Sequence, residues 1–203
     1  MRRISTVVAV AVAGTIIGFQ PVRAGLLGMP MGLQSVVQHI KFERPTLAPM
    51  AYTEFCIRYQ DQCRQKTVFR GGPVDLTAER WADLREINRS VNQDIVPERN
   101  ERGLAGEAWL INPNRGDCND YAVSKRHELL QRGWPARALL LSEVVTNSGE
   151  HHLVLVVRTR SGDLVLDNLT VQIKPWSRVP YRWVRIQMPN ESRLWATIAG
   201  RGV

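Results

Sequence analysis

Cysteine is scarce in this chain of 203 residues: there are three, Cys56, Cys63 and Cys118. None stands in a CxxC pair or a His/Cys ladder with ligand spacing, which excludes the usual zinc centres. Charge blocks of one sign are lacking as well. The 27 lysines and arginines against 19 acidic residues give a net charge of +8, but they are scattered along the chain. No basic block interleaved with aromatics is available to track a nucleic-acid backbone, so nucleic acid is excluded as a partner and the basic balance reads as a solubilising surface. There is no internal repeat and no low-complexity tract. Beyond the amino-terminal segment, no stretch is apolar enough to cross a bilayer.

What is present begins at that amino terminus. Met1-Arg2-Arg3 supplies positive charge, Ile4 to Phe19 is apolar and uncharged, and Val22-Arg23-Ala24 offers small residues at the −3 and −1 positions of a signal-peptidase site. The apolar run of about 16 residues falls short of the roughly 20 that a membrane span requires. Residues 1–24 are therefore expected to be a cleaved secretory signal with Gly25 as the first mature residue; an uncleaved anchor is the alternative. Cleavage removes three arginines and leaves 179 residues at a net charge of +5, enough for one domain with its own core.

In an oxidising compartment an odd number of cysteines is informative. Cys56 and Cys63 enclose a short polar loop, Ile57 to Gln62, across which a disulfide closes readily if the chain turns back. Cys118 is then a free thiol, a liability in an exported protein unless it is buried or used.

Residues 25–52, rich in Gly, Pro and Met and weakly periodic, read as an extended lead-in to a domain over 53–203. Trp81, Leu84, Ile87, Val91 and Ile95 recur at spacings of three and four and predict a helix over 75–96, capped by Asp75 or Thr77 and followed by Pro97. A polar stretch then leads to Trp109-Leu110-Ile111 and a turn at 112–116. A second helix is predicted from Cys118 to Arg132, with Asp117 as N-cap, Asp120 completing a capping box, and Gly133 and Pro135 as the stop. Downstream, Ala138–Val145, Leu153–Thr159, Leu164–Leu166 and Tyr181–Met188 read as strands, with hairpin signals at Asn147-Ser148-Gly149 and Ser161-Gly162. Helices followed by antiparallel strands is the α+β pattern, the helices packing on the sheet.

The chemistry concentrates where these elements meet. Cys118 would sit in the first turn of a helix, where unpaired N–H groups and the positive end of the dipole favour a thiolate and could hold an oxyanion. His152 opens an otherwise apolar strand, where a general base could face a cleft. Asp167, at the end of the next apolar run, could accept from the imidazole and fix its tautomer. A two-residue turn at Ser161-Gly162 would leave Asp167 about 13 Å along the strand from His152, at roughly 3.3 Å per residue. Bringing the two together is thus expected to require a four-residue loop, Arg158 to Ser161, or a bulge. His151 is the rival base. His39 and His127 have no partner pattern and read as surface residues. Trp109 could lend its indole N–H to an oxyanion, but reads first as core.

Gly116-Asp117-Cys118-Asn119-Asp120-Tyr121-Ala122, Lys125, the Arg132-Gly133-Trp134-Pro135 turn, Gly149-Glu150-His151-His152-Leu153-Val154-Leu155 and Leu164-Val165-Leu166-Asp167-Asn168-Leu169 together resemble the bacterial transglutaminase-like cysteine peptidases, over about residues 50–190. Phe55-Cys56 with Cys63 is similar to a feature near the start of that domain. The resemblance implies a papain-like, transglutaminase-type fold with a Cys118-His152-Asp167 triad. It also implies a periplasmic location, cleavage of a large surface adhesin in biofilm release, and an inner-membrane regulatory receptor as a further partner. No organic cofactor is expected. Calcium is implied beside the nucleophile, with Asp117, Asn119 and Asp120 as ligands; Asn119 replaces a residue that is often acidic in the family, so one charge is lost. Leu153 stands where the family usually has alanine. A transglutaminase or amidase using the same triad, or a catalytically silent binding module, are the alternatives to an endopeptidase.

Overall fold

A computed structural model describes residues 39–64, 72–100, 107–189 and 191–199. The expected signal segment and most of the lead-in, through residue 38, lie outside the described residues. A seven-stranded sheet organises the rest. Its strands are β1 (Phe42–Thr46), β4 (Leu139–Val145), β5 (His151–Thr159), β6 (Gly162–Leu166), β7 (Lys174–Pro175), β8 (Arg182–Met188) and β9 (Glu191–Ile198). They lie in the order β1-β9-β8-β4-β5-β6-β7, every neighbouring pair antiparallel. The helices are α1 (Met50–Arg58), α2 (Gln60–Cys63), α3 (Ala78–Asp94) and α4 (Cys118–Gln131). Two short segments, β2 (Val96–Pro97) and β3 (Arg115–Gly116), form a separate parallel ribbon beside the tip of α4.

The apolar run in β5 is buried on both of its faces. Leu153, Leu155 and Val157 pack with Leu84, Ile87, Val123 and Leu129 of α3 and α4, while Val154 and Val156 pack with Trp176, Trp183 and Ile186 on the opposite side. That two-sided burial is why the strand carries no polar alternation. The helix readings hold with small shifts at the ends. Thr77 is the N-cap of α3, its side chain accepting from the Arg80 N–H at 3.3 Å, and Leu84, Ile87 and Val91 form the buried face. In α4, Asp117 and Asp120 make the reciprocal capping box, and Gly133 takes φ +80° just past the end, a conformation that favours glycine.

The chain does not run simply from helices to sheet. Phe42–Thr46, within the expected lead-in, is an edge strand paired with β9, and neither of these strands is legible from residue pattern alone. Ile40 is buried beside them. Cys56 and Cys63 are joined by a disulfide with Cα atoms 5.5 Å apart, bridging α1 and α2, and Cys118 is the free cysteine among the described residues.

Candidate active site

Cys118 is the first residue of α4 because Asp117 ends the preceding extended chain and caps the helix, its Oδ1 accepting from the Asn119 N–H at 2.9 Å. Asp120 closes the box: its Oδ2 accepts from the Asp117 N–H at 3.0 Å and its Oδ1 from the Leu110 N–H at 2.7 Å. This carboxylate therefore ties the loop before the helix to the helix tip. The tip borders a cleft of 730 Å³, walled by Met50, Pro97, Glu107 and Leu169 and shared by Cys118 and His152.

His152 and Asp167 meet directly. The imidazole Nε2 lies 2.8 Å from Asp167 Oδ1, with the residues 6% and 3% exposed. The hairpin that brings them together is neither the wide loop nor the bulge expected. Thr159 pairs with Gly162, leaving a two-residue turn at Arg160-Ser161. Continued past Leu155–Leu166, that register sets Asp167 across from Val154, two residues from His152 on the same face. Such diagonal neighbours are close enough for long side chains to touch. Moving the two-residue turn by one position thus supplies the contact without a wider loop or a bulge.

The acceptor role of Asp167 toward Nε2 leaves Nδ1 as the free nitrogen, the one nearest the His152–Leu153 peptide. The Leu153 backbone in turn hydrogen-bonds the Cys118 sulfur. Asp167 is held ionised. Burial pushes its carboxyl up, but the imidazole, the Tyr181 hydroxyl and the Leu169 N–H outweigh this and leave it below the usual carboxylate range. His151, the rival base, faces solvent and pairs with Glu143 at 2.7 Å, which also accepts from Arg185 at 2.5 Å. His39 bonds the Thr159 carbonyl and His127 the Gln62 amide. Trp109 is core, packed on Tyr52 and Phe55 at centroid distances of 5.8 and 6.2 Å.

Helix-tip placement was expected to favour a resting thiolate. It does not prevail. Burial pushes the Cys118 thiol up to about 12, and the charges of Asp117, Glu107 and Asp120 add to that against the single lowering contact from Leu153. Desolvation wins because a buried anion beside carboxylates loses more than a helix end returns. These surroundings disfavour the thiolate, so drawing the proton from sulfur calls for a base.

The three expected cation ligands do not stand as an open set. Both oxygens of Asp120 are taken by backbone N–H groups, and the Asn119 amide nitrogen donates to Glu107. Among the described residues, no group of three or more His, Cys, Asp or Glu is disposed to hold a metal. The local chemistry nevertheless suits a hard cation. Glu107, missed in the sequence because it lies in an unpatterned polar stretch, is pushed up by burial and by Asp117. Asp120 is raised to about 6 by burial, with Asp117 and Glu107 adding to it. The charges acting on both are negative, and the free donors are oxygens, as calcium prefers. Sequence reasoning also missed Tyr181 and gave no role to Lys125, which is fully buried in α4 and pushed down to about 7 by desolvation despite the charge of Asp167.

Helices packed on an antiparallel sheet, with a thiol at a helix tip and an imidazole–carboxylate pair on the facing strands, define a transglutaminase-like thiol hydrolase. The chain belongs to the bacterial transglutaminase-like cysteine proteinase family (BTLCP), whose model matches residues 42–202, and it is a cysteine peptidase. It is similar to calcium-bound LapG from Legionella pneumophila, with 25% identity over 61% of this chain and 71% of LapG and a TM-score of 0.51. Two other structures of that protein, one of them EGTA-treated, match at 25% identity over 52% of this chain and 62% of theirs, with TM-scores of 0.45. No curated protein matches the chain.

Proposed function

We propose that the chain is a periplasmic endopeptidase that cuts a protein substrate, a large surface adhesin, with Cys118 as nucleophile, His152 as base and Asp167 as its orienter. The observation that carries this reading is the buried 2.8 Å His152–Asp167 pair one peptide away from the backbone contact to the Cys118 sulfur. Nδ1 of His152 takes the thiol proton as sulfur attacks the scissile carbonyl carbon. The developing oxyanion meets the Cys118 N–H at the tip of α4, beside the Asn119 N–H that the Asp117 side chain already takes. The imidazolium, stabilised by ionised Asp167, returns its proton to the leaving amine, and a thioester remains on Cys118. Water, deprotonated by the same nitrogen, then attacks that thioester, releasing the carboxylate product and the free thiol.

The adhesin and the compartment rest on the family resemblance and on residues 1–24. They are tested by comparing secreted and surface-attached proteins from cells carrying the wild type or Cys118→Ala. One large protein is expected to change size or location. An unchanged profile removes the adhesin reading.

Calcium belongs to the same reading. Glu107, Asp117 and the amide oxygen of Asn119 would hold it, with Asp120 retained as the helix cap. The ion would supply positive charge to a carboxylate cluster that has none. Chelation with EGTA is expected to lower the melting temperature of the purified protein by several degrees, since a ligand at 100 times its Kd stabilises by about 2.7 kcal/mol. The loss should be larger at pH 7 than at pH 5. Asp120 titrates near 6 in the fold against an ordinary 3.8; its folded-state pKa is raised, so the calcium-free protein loses stability as pH climbs through that window. Equal melting temperatures with and without chelator would show that Asp117 and Asp120 serve only as caps.

A further inference from the structure

The two oxygens of Asp167 are anchored from different parts of the molecule. Oδ1 accepts from His152 Nε2 at 2.8 Å and from the Leu169 N–H at 3.0 Å, within the turn that follows β6. Oδ2 is held by the Tyr181 hydroxyl, which donates to it at 2.6 Å. Tyr181 immediately precedes β8, and β8 is separated from β5 by β4. The tyrosine therefore reaches past the end of β4 to a carboxylate that its own strand never touches. Its ring also stands edge-on to the imidazole, with centroids 5.7 Å apart and planes at 77°. One side chain thus contacts both members of the buried pair. Its own phenol is pushed up by burial and by the neighbouring carboxylate, so it stays a donor.

On the triad reading given above, we infer that Tyr181 is a positioning residue that locks the Asp167 carboxylate and thereby keeps the His152 proton on Nε2, leaving Nδ1 open toward Cys118. Without the hydroxyl, Oδ2 loses its partner and the carboxylate can rotate about its Cβ–Cγ bond, held only by the Leu169 N–H and the imidazole itself. The imidazole then has no single preferred tautomer. Whenever Nδ1 carries the proton, it cannot accept the proton of the thiol. The hydroxyl acts through Asp167 and touches no reacting atom.

The test is Tyr181→Phe in the full mature protein, which keeps the edge contact to the ring and removes one oxygen. Two readouts avoid any need for a known substrate. The first is the 15N signal of His152, which distinguishes Nε2–H from Nδ1–H. The second is the rate of Cys118 alkylation by iodoacetamide across pH. The wild type is expected to show neutral His152 protonated on Nε2. In Tyr181→Phe a population protonated on Nδ1 should appear, and alkylation at pH 7 should slow by roughly threefold to tenfold, the span of one ordinary hydrogen bond, since the hydroxyl acts only through Asp167. Wild-type tautomer signals and alkylation in the variant would overturn the inference, as would slowed alkylation with the tautomer unchanged. Asp167→Ala is measured alongside. If it too leaves both readouts at the wild-type level, the triad reading itself fails; if it alters both while Tyr181→Phe does not, only the role of Tyr181 is lost.

Discussion

Replacing Asp167 by alanine is expected to lower proteolytic turnover of the natural substrate by about four orders of magnitude, and replacing it by asparagine by only about two. The difference follows from the hydrogen bonds around this residue. Alanine removes the acceptor for His152 Nε2 and leaves a 6% exposed imidazole without a partner. Asparagine keeps an oxygen on the correct side. The Leu169 N–H donates to the Oδ1 position, so the amide must turn its oxygen there and its NH2 toward the Tyr181 hydroxyl, which can rotate to accept. The tautomer of His152 then survives and only the negative charge is lost, which weakens the imidazolium formed during attack. Cys118→Ala and His152→Ala set the floor, with losses of about five to six orders of magnitude that do not add when combined, because the groups act as one unit. Turnover measured on the protein released in cells checks the ranking. Asparagine as damaging as alanine would show that charge, not orientation, is the contribution of Asp167.

Gly116→Ala is expected to destabilise the protein by about 3–5 kcal/mol, or roughly 10 °C in melting temperature for a domain of this size. Gly116 is buried, and a Cβ there would lie 2.3 Å from Asp120 Oδ2 and 2.8 Å from the Asp120 Cβ. Rotating the carboxylate relieves the first contact but not the second, because the Asp120 Cβ is fixed to the helix backbone, so the close packing of β3 on the helix tip must open. With it go the hydrogen bonds to Leu110 and Asp117 that join the loop to the helix tip, along with the cap itself. Because Cys118 sits between those residues, activity should fall with stability. The double variant Gly116→Ala, Asp120→Gly checks the cause. Once the Asp120 Cβ and carboxylate are both gone the added methyl has little left to clash with, so the double variant should be clearly more stable than the sum of the singles. Simple additivity would mean that Gly116 is needed for some other reason.

How far the residues alone carried the reading depends on the range of each interaction. The ends of α3 and α4 are legible because caps and apolar spacing act within one or two turns: Thr77, Asp117, Asp120 and Gly133 each act on groups only a few residues away. Strand β5 is legible because burial on both faces leaves an uninterrupted apolar run. Strand β1 is not. Its sequence, Phe-Glu-Arg-Pro-Thr, is mostly exposed and becomes a strand only because β9 supplies partners more than 140 residues later. Glu107 and Tyr181 escaped notice for a related reason, since each matters only through a neighbour that the chain brings up from elsewhere.

The sequence by itself determined that Cys118 begins a helix, that His152 opens a buried strand and that Asp167 ends the next one, since each follows from local capping, alternation and apolar runs. Tertiary structure alone decided the turn at Arg160-Ser161 that brings His152 and Asp167 into diagonal contact, the arrival of Tyr181 from beyond β4, and the burial that pushes the Cys118 thiol up. Those depend on register, which moving the turn by a single residue changes, and on desolvation, which is set by whatever the rest of the fold packs around a group.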